Sequence, residues 1–155
     1  MRRKDREVKD RKEILEIIDE CSTMHVAFGG DSSPYVVPLS FGYSDEGGAL
    51  ELYFHCAQAG MKLDCLKNSD RVCFECETFL GFEETAQGIT TKYRSIIGFG
   101  SCSILKDEDG KVHAMRKILS HCGYPDYPVE ECGALGHTTV CRITVDSVTG
   151  KRNAE

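Results

Sequence analysis

The chain has 155 residues, a length that fits one domain able to bury a sizeable core. Its formal net charge of -6 at pH 7 disfavours nonspecific binding of nucleic acids and other polyanions. No stretch approaches the roughly 18 apolar residues that a membrane helix requires. The charged N-terminal segment also lacks the apolar region of a signal peptide. We therefore expect a single cytoplasmic domain over 1–155, with no membrane or nucleic-acid partner.

Nine cysteines are unusual in a chain of this length. Because the number is odd and no export signal is present, a complete disulfide framework is disfavoured, and a reducing compartment fits better. Cys73 and Cys76 have the spacing of a metal-binding pair, but residues three apart in a strand point to opposite faces. Four further residues match no strong zinc pattern: His121, Cys122, Cys132 and His137. We expect no metal site and free thiols that pack mostly as small apolar side chains.

In the first half of the chain the pattern predicts one helix followed by three strands. Asp10 and Glu13 have the spacing of a capping box, and apolar residues at helical intervals then predict a helix over about 11–21. Alternating apolar residues predict the strands, which fall at 24–28, 35–43 and 50–55. Short turns join these strands, as is typical of antiparallel pairing.

The second half begins with a short predicted helix at about 59–67 and a strand at 71–77. Residues 78–89 have no clear period and are predicted to form a loop. The remaining elements are a strand at 90–105, a helix at 111–122, a loop at 123–137 and a last strand at 138–148. About six strands with interspersed helices predict an α+β, mainly β fold, an antiparallel sheet or barrel with peripheral helices. Regular βα alternation, a GxGxxG segment and a Walker sequence are all missing.

The turn after the third strand carries the most chemical information. The strand ends at His55 and a helix opens near Gly60, so free backbone N–H groups are available to an anion. The small residues Ala57 and Gly60 allow a phosphate to approach the backbone. Lys62 places a positive charge in the first helical turn, where it opposes the helix dipole unless an anion is bound. The residues alone leave open a plain strand-to-helix connection with a solvated lysine.

Two strand segments are also candidates for ligand contact. Pro38 cannot donate to a ladder, so it marks an edge or a bulge, and neighbouring backbone groups are left for a planar heterocycle or simply for water. Arg94 shares a strand face with Gly98 and Gly100, a face with little bulk. Either a ring or partner backbone lies on that face, or the strand crosses tightly over another element.

Taken in chain order, several segments resemble one known family: VPLSFGY, LYFHCAQAGMKLD, RVCFE, YRSIIGFG and the closing TGKR. The chain resembles the pyridoxamine 5'-phosphate oxidase-like FMN-binding split-barrel proteins, and among them the nitroimidazole-resistance, or nitroimidazole reductase, subgroup. The resemblance covers about residues 2–152, and its most specific part is the HxAxxGxK pattern. It implies a six-stranded antiparallel split β-barrel with peripheral helices, a homodimer, and FMN at the subunit interface.

The resemblance also implies roles for particular residues. The FMN phosphate is expected in the turn formed by His55, Ala57, Gly60, Met61 and Lys62. The isoalloxazine edge is expected at Pro38, Leu39 and Ser40. Near the ring or the phosphate the resemblance places Tyr93, Arg94 and Ser95. The substrate residues of pyridoxamine 5'-phosphate oxidase itself are not recognisable here, so that activity is not carried over.

The sequence therefore favours an FMN-dependent oxidoreductase, with flat nitroaromatic compounds such as 5-nitroimidazoles as candidate substrates. A non-catalytic flavin carrier or sensor is the alternative. The sequence does not distinguish FMN from another flavin or from F420 as the cofactor. His55 is a weak candidate for proton transfer, since support of the phosphate is favoured. Cys56 lies beside a helix start, which can lower a thiol pKa. His25 is interpreted as a structural or interfacial residue.

Overall fold

A computed structural model describes residues 2–30 and 33–153. Within these residues the chain forms three α-helices: α1 (Arg11–Glu20), α2 (Met61–Asn68) and α3 (Glu108–His121). It also forms eight strands: β1 (Glu7–Val8), β2 (Met24–Phe28), β3 (Tyr35–Leu39), β4 (Phe41–Ser44), β5 (Glu51–Cys56), β6 (Arg71–Thr85), β7 (Gly88–Ile104) and β8 (Thr139–Asn153). The predicted α+β class is confirmed, with eight strands in place of the six expected. None of the helices in this part of the chain has the length and apolar character needed to cross a bilayer.

The strands form one antiparallel sheet in the order β3-β2-β6-β7-β8-β5-β4, and the short β1 pairs with the end of β8. β3 pairs with β2 at one edge of the sheet, whereas β4 pairs with β5 at the other edge. Only Ser40 separates β3 from β4, so the sheet must curl until its two edges approach each other. The prediction of one continuous strand over 35–43 is therefore wrong, since the chain changes partners at Ser40.

A long hairpin replaces the loop that was predicted at 78–89. β6 and β7 stay paired from Arg71–Ser101 out to Thr85–Gly88, where the chain turns. The register shifts between Phe79 and Gly81, and Gly81 has a φ of +124°, a conformation that favours glycine. This bulge breaks the alternation of side chains between the two faces. The sequence over 78–89 therefore lacks the two-residue period of a strand.

The main core lies between the inner face of the sheet and α1. Ile14, Ile17 and Ile18 of α1 are buried in one cluster with Phe74 and Ile96 of the sheet. The predicted cap of this helix is confirmed, because the Asp10 carboxylate accepts a hydrogen bond of 3.0 Å from the Glu13 N–H. This packing settles which face of β6 and β7 is internal.

The small residues of β7 belong to this interior. A Cβ added at Gly98 would lie 2.2 Å from the Phe74 ring, and one at Gly100 would lie 2.3 Å from the Thr144 carbonyl oxygen. Of the two interpretations left open above, tight packing of the strand is therefore correct. The bare face of these glycines is filled by the protein's own core and strand β8.

A second, smaller core joins α3 to the opposite side of β5 and β8. It contains Tyr53, Ala114, Ile118, Val129, Leu135 and Val140. The close approach of α3 depends on Gly42 in β4, since a Cβ there would lie 2.3 Å from the backbone carbonyl of Lys117. A backbone neighbour cannot rotate away as a side chain can.

Gly42→Ala is accordingly expected to destabilise the fold by about 1–3 kcal/mol or more, because α3 must shift outward. At this chain length, each kcal/mol lowers the melting temperature by roughly 2–4 °C. Gly29→Ala is the matched control, since no heavy atom lies within 4 Å of the added Cβ and its φ is not positive. Thermal unfolding followed by circular dichroism compares the two variants. Equal melting temperatures would contradict the close packing of α3 on β4.

Candidate functional site

The surface of the sheet turned away from α1 is partly apolar and carries several of the candidate residues. We call this surface the outer face; it is formed by His25, Ala27, Val36, Pro38, Cys73, Glu75, Tyr93, Ser95, Ile97 and Phe99. Three apolar side chains on it are about half exposed, at 57% for Val36, 47% for Ile97 and 51% for Phe99. The register places Val36, Ala27, Cys73 and Phe99 in one row across four strands. The outer face is therefore a flat, partly apolar area that a single copy leaves in water.

His25 and Glu75 form the next row of the outer face, between Pro38 and Ile97. His25 Nδ1 lies 3.3 Å from Glu75 Oε2, yet this buried nitrogen has no hydrogen-bond partner of acceptable geometry. Burial raises the pKa of Glu75, the charge of Glu77 raises it further, and His25 partly opposes both effects. His25 is thus placed at a surface, beside the segment in which a flavin edge was expected, and not in the core.

Helix α2 begins in the manner expected of an anion site. Its N-cap residue, Gly60, has φ +139° and ψ 169°, and no side chain of the described residues caps the helix. In the other two helices an aspartate does so, because Asp10 accepts from Glu13 N–H and Asp107 accepts from Gly110 N–H. The first N–H groups of α2 are therefore left available to an external acceptor.

Lys62 lies in the first turn of α2 and pairs with no carboxylate among the described residues. Lys67, on the same helix, pairs with Asp64 at 2.7 Å. The charge of Lys62 also acts on the thiols of Cys56 and Cys141. Lys62 is thus an uncompensated cation next to free backbone donors.

The pKa of the Cys56 thiol changes in the direction opposite to the one expected from the helix start. The pKa is raised to about 11, chiefly by burial and also by the nearby Cys141, and Lys62 opposes this only in part. The expectation of a lowered thiol pKa is wrong, because Cys56 is still part of β5 and its thiol is partly buried there. All nine cysteines are free thiols in the structure.

The remaining turn residues lie at the same end of the barrel. His55, Ala57, Gly60 and Met61 are all exposed, and His55 is on the side of β5 opposite to Cys56. A cavity of about 320 Å³ reaches Met61 on one side of α2, with Tyr35 and Cys65 in its wall. A second cavity of about 410 Å³ lies on the other side of α2 and includes Ala59, Gly60 and Ile104. The HxAxxGxK residues therefore form an open rim with no deep pocket of their own.

The residues expected at a flavin edge lie farther along β3. Pro38 and Ser40 are exposed, whereas Leu39 is partly buried and packs against the main core. The four steps from Tyr35, beside α2, to Leu39 span roughly 13 Å of strand. A ligand that touches both the α2 turn and Ser40 must therefore be elongated.

The structure separates the three residues of the Tyr-Arg-Ser segment. Tyr93 and Ser95 lie on the outer face, while Arg94 points the other way and pairs with Glu20 of α1. Ile104 borders the cavity of about 410 Å³ beside α2. The part of β7 from Tyr93 to Ile104 has a length of roughly 35 Å along the strand. Along β7, Tyr93 and Ser95 are therefore far from the α2 turn.

Sequence reasoning missed the apolar part of the outer face. Ile97 and Phe99 alternate with Gly98 and Gly100, and this alternation marks two apolar residues on the face opposite the glycines. Gly98 and Gly100 lie on the inner face of the strand, whereas the exposed apolar residues lie on the opposite face. A continuous apolar row across strands becomes visible only once the strand order is known.

The sequence of the chain matches one family model. The family model described as pyridoxamine 5'-phosphate oxidase matches residues 10–152. The chain belongs to this family. A comparison with curated proteins found no match.

Solved structures of family-like proteins agree with this assignment. A candidate 5-nitroimidazole antibiotic resistance protein from Bacteroides thetaiotaomicron is 26% identical, with a TM-score of 0.77 over 94% of this chain and 85% of the other. The flavocytochrome Anf3 from Azotobacter vinelandii is 20% identical, with a TM-score of 0.81 over 100% and 72% of the two chains. An FAD- and haem-binding protein from Mycobacterium smegmatis is 19% identical, with a TM-score of 0.79 over 97% and 74%. The last two show the fold alone, and the first extends the resemblance to the nitroimidazole-resistance subgroup.

Proposed function

We propose that this protein is a flavin-dependent oxidoreductase that binds FMN at the interface of a homodimer and acts on flat nitroaromatic compounds. The observation that carries the proposal is the start of α2, an uncapped glycine turn with an unpaired lysine in its first turn. Support for the substrate class comes from the 26% identical candidate 5-nitroimidazole resistance protein. Fold alone does not decide the reaction.

The α2 turn fits a phosphate group in charge and in space. The free N–H groups at the helix start donate to phosphate oxygens, and Lys62 adds a full positive charge. A Cβ at Gly60 would meet no heavy atom within 4 Å, so the side of the turn is open to a ligand. His55 lies at the rim of the same turn and supports the phosphate as a further donor.

The exposed edge of β3 fits the polar edge of a flavin ring. Within the described part of the chain β3 pairs only with β2, so half of its backbone groups have no partner strand there on the other side. Pro38 removes one N–H from this strand, and Leu39 and Ser40 present backbone groups next to it. Backbone donors and acceptors at these positions would read the imide edge of the ring and hold its orientation.

A second copy of the chain is the partner that completes the site. The outer face exposes Val36, Ile97 and Phe99 beside the proposed ring position, and packing of two such faces would exclude water from them. Along β7 Tyr93 and Ser95 are far from the α2 turn, which favours a ligand to which two copies contribute. Both features favour a two-subunit site.

The redox step belongs to the flavin, which supplies hydride or electron transfer when it is bound. The chain's own residues bind the phosphate, orient the ring and exclude water. No acid or base is assigned, because His55 lies at the phosphate turn and the thiol of Cys56 is kept protonated by its raised pKa.

The test is the absorption spectrum of the purified protein, with mass spectrometry of the released ligand. We expect flavin bands near the usual two maxima and the mass of FMN, followed by reduction of a 5-nitroimidazole when a reduced nicotinamide donor is supplied. Release of FAD would correct the cofactor and keep the function. A bound flavin without turnover with any donor would favour a carrier or sensor. Protein that neither contains nor takes up a flavin would overturn the proposal.

A further inference from the structure

Three residues at the far end of the outer face form a cationic cluster, of which the proposed function involves only Tyr93. Tyr93 lies on β7, and the ammonium of Lys151 on β8 lies 5.3 Å from the centre of its ring. Arg6, in the short helical turn Lys4–Arg6 before β1, acts on the same phenol and lowers its pKa. β1 pairs with the end of β8, so the fold fixes Arg6 close to Lys151.

The two cations of this cluster lack acidic partners. Neither Arg6 nor Lys151 forms an ion pair with a carboxylate among the described residues. The acids of the N-terminal segment have other cations as partners: Asp5 pairs with Arg3, and Glu7, which stands opposite Lys151 in the register, pairs with Lys9 at 3.3 Å. On the neighbouring strand, Glu77 is exposed and stands opposite Ser95. Even with Glu77 counted, the two unpaired cations leave an excess of positive charge beside one phenol.

Tyr93 already responds to this excess of charge. Burial raises the pKa of its phenol, but Lys151 and Arg6 together outweigh burial and lower it. In Tyr43 and Tyr53 burial and nearby carboxylates raise the phenol pKa. Tyr93 is thus expected to ionise before these two.

We propose that Arg6, Tyr93 and Lys151 form an oxyanion site that binds a phosphate or carboxylate group and is separate from the α2 turn. A guanidinium, an ammonium and a phenol O–H are complementary to such a group, and the excess charge favours its binding. Roughly 35 Å of strand along β7 separates the cluster from the cavity that Ile104 borders beside α2, so the two are different positions on the subunit. The oxyanion belongs either to a molecule that reacts with the flavin or to the phosphate of a flavin held mainly by the other subunit.

A spectrophotometric titration of the tyrosines tests the site with inorganic pyrophosphate as the probe. A bound oxyanion offsets the two cations and accepts a hydrogen bond from the neutral phenol, so it raises the pKa of Tyr93. We expect the first phenol transition to move to higher pH in pyrophosphate but not in sodium chloride of equal ionic strength. Tyr93→Phe should remove that transition and so identify it.

Binding of pyrophosphate to the purified protein gives a second readout. Arg6→Gln and Lys151→Gln should each weaken it by about 10- to 100-fold, the usual effect of losing one charge-assisted contact. Lys12→Gln is the matched control, because Lys12 is an exposed cation of helix α1 that pairs with Glu16. No specific shift in the first transition, or equal affinity in all four proteins, would overturn the site.

Flavin titrations separate the two sources of the oxyanion. If Arg6→Gln and Lys151→Gln weaken binding of FMN but not of riboflavin, the cluster holds the flavin phosphate across the interface. If they leave FMN unchanged and still weaken pyrophosphate, the oxyanion comes from another molecule. The pyrophosphate readouts need no flavin, so they stand even if the protein proves to bind none.

Discussion

Replacing Phe99 by glutamate is expected to abolish dimer formation and, with it, most flavin binding. Phe99 is half exposed on the outer face, and the register places it in one row with Val36, Ala27 and Cys73. In a two-fold interface the same patch is used by both copies, so one substitution introduces two carboxylates. Loss of a central aromatic contact alone costs about 2 kcal/mol or more, which is roughly 30-fold in affinity. The desolvation of the new charges adds to that loss.

Tyr124→Glu is the matched control for this substitution. Tyr124 is an aromatic residue with an exposed fraction of 65%, but it lies in the turn after α3 and outside the outer face. Light scattering of the purified variants measures mass, and absorbance measures the flavin that each retains. We expect a monomer without flavin for Phe99→Glu and a dimer with flavin for Tyr124→Glu. A Phe99→Glu dimer with its full flavin content, or a wild-type monomer that keeps flavin, would contradict the proposed interface.

Local signals in the sequence predicted the elements well where one residue or one short turn decides the conformation. The cap at Asp10 and the start of α2 at Gly60 both follow from the chemistry of a few adjacent residues. The strand ending at His55 and the helix after Gly60 needed no knowledge of the rest of the chain. The candidate phosphate turn could therefore be proposed before the fold was known.

Features that depend on partner strands were not predictable in the same way. The alternation over 35–43 is regular, yet the partner strand changes from β2 to β5 at Ser40. No local pattern in the sequence determines which strand lies alongside. The sequence pattern did not predict the hairpin at 78–89, because the bulge near Gly81 breaks the alternation of side chains. Likewise, Tyr93 and Arg94 are neighbours in sequence and face opposite sides of the sheet. The sequence motif groups them as one contact set. Only the strand register shows that their side chains lie on different faces.

Lys62→Ala is expected to weaken FMN binding by about 10- to 100-fold while leaving riboflavin binding unchanged. The substitution removes a full charge from a turn proposed to hold a phosphate, and such charge-assisted contacts contribute roughly 1.5–3 kcal/mol. Riboflavin has no phosphate, so its affinity does not depend on this lysine. Isothermal or fluorescence titration of both flavins into flavin-free protein measures the two affinities.

Lys67→Ala provides the matched control, because Lys67 is on the same helix but pairs with Asp64 and lies outside the first turn. It should alter the affinity for neither flavin. A solvated lysine at a helix start predicts a different result for Lys62→Ala as well: unchanged binding of FMN and neutral or slightly increased stability, since the lysine opposes the helix dipole there. Equal FMN affinity in wild type and Lys62→Ala would place the phosphate elsewhere and remove the roles proposed for His55 and Gly60. A loss confined to FMN and to Lys62 is the pattern that only a phosphate at the start of α2 produces.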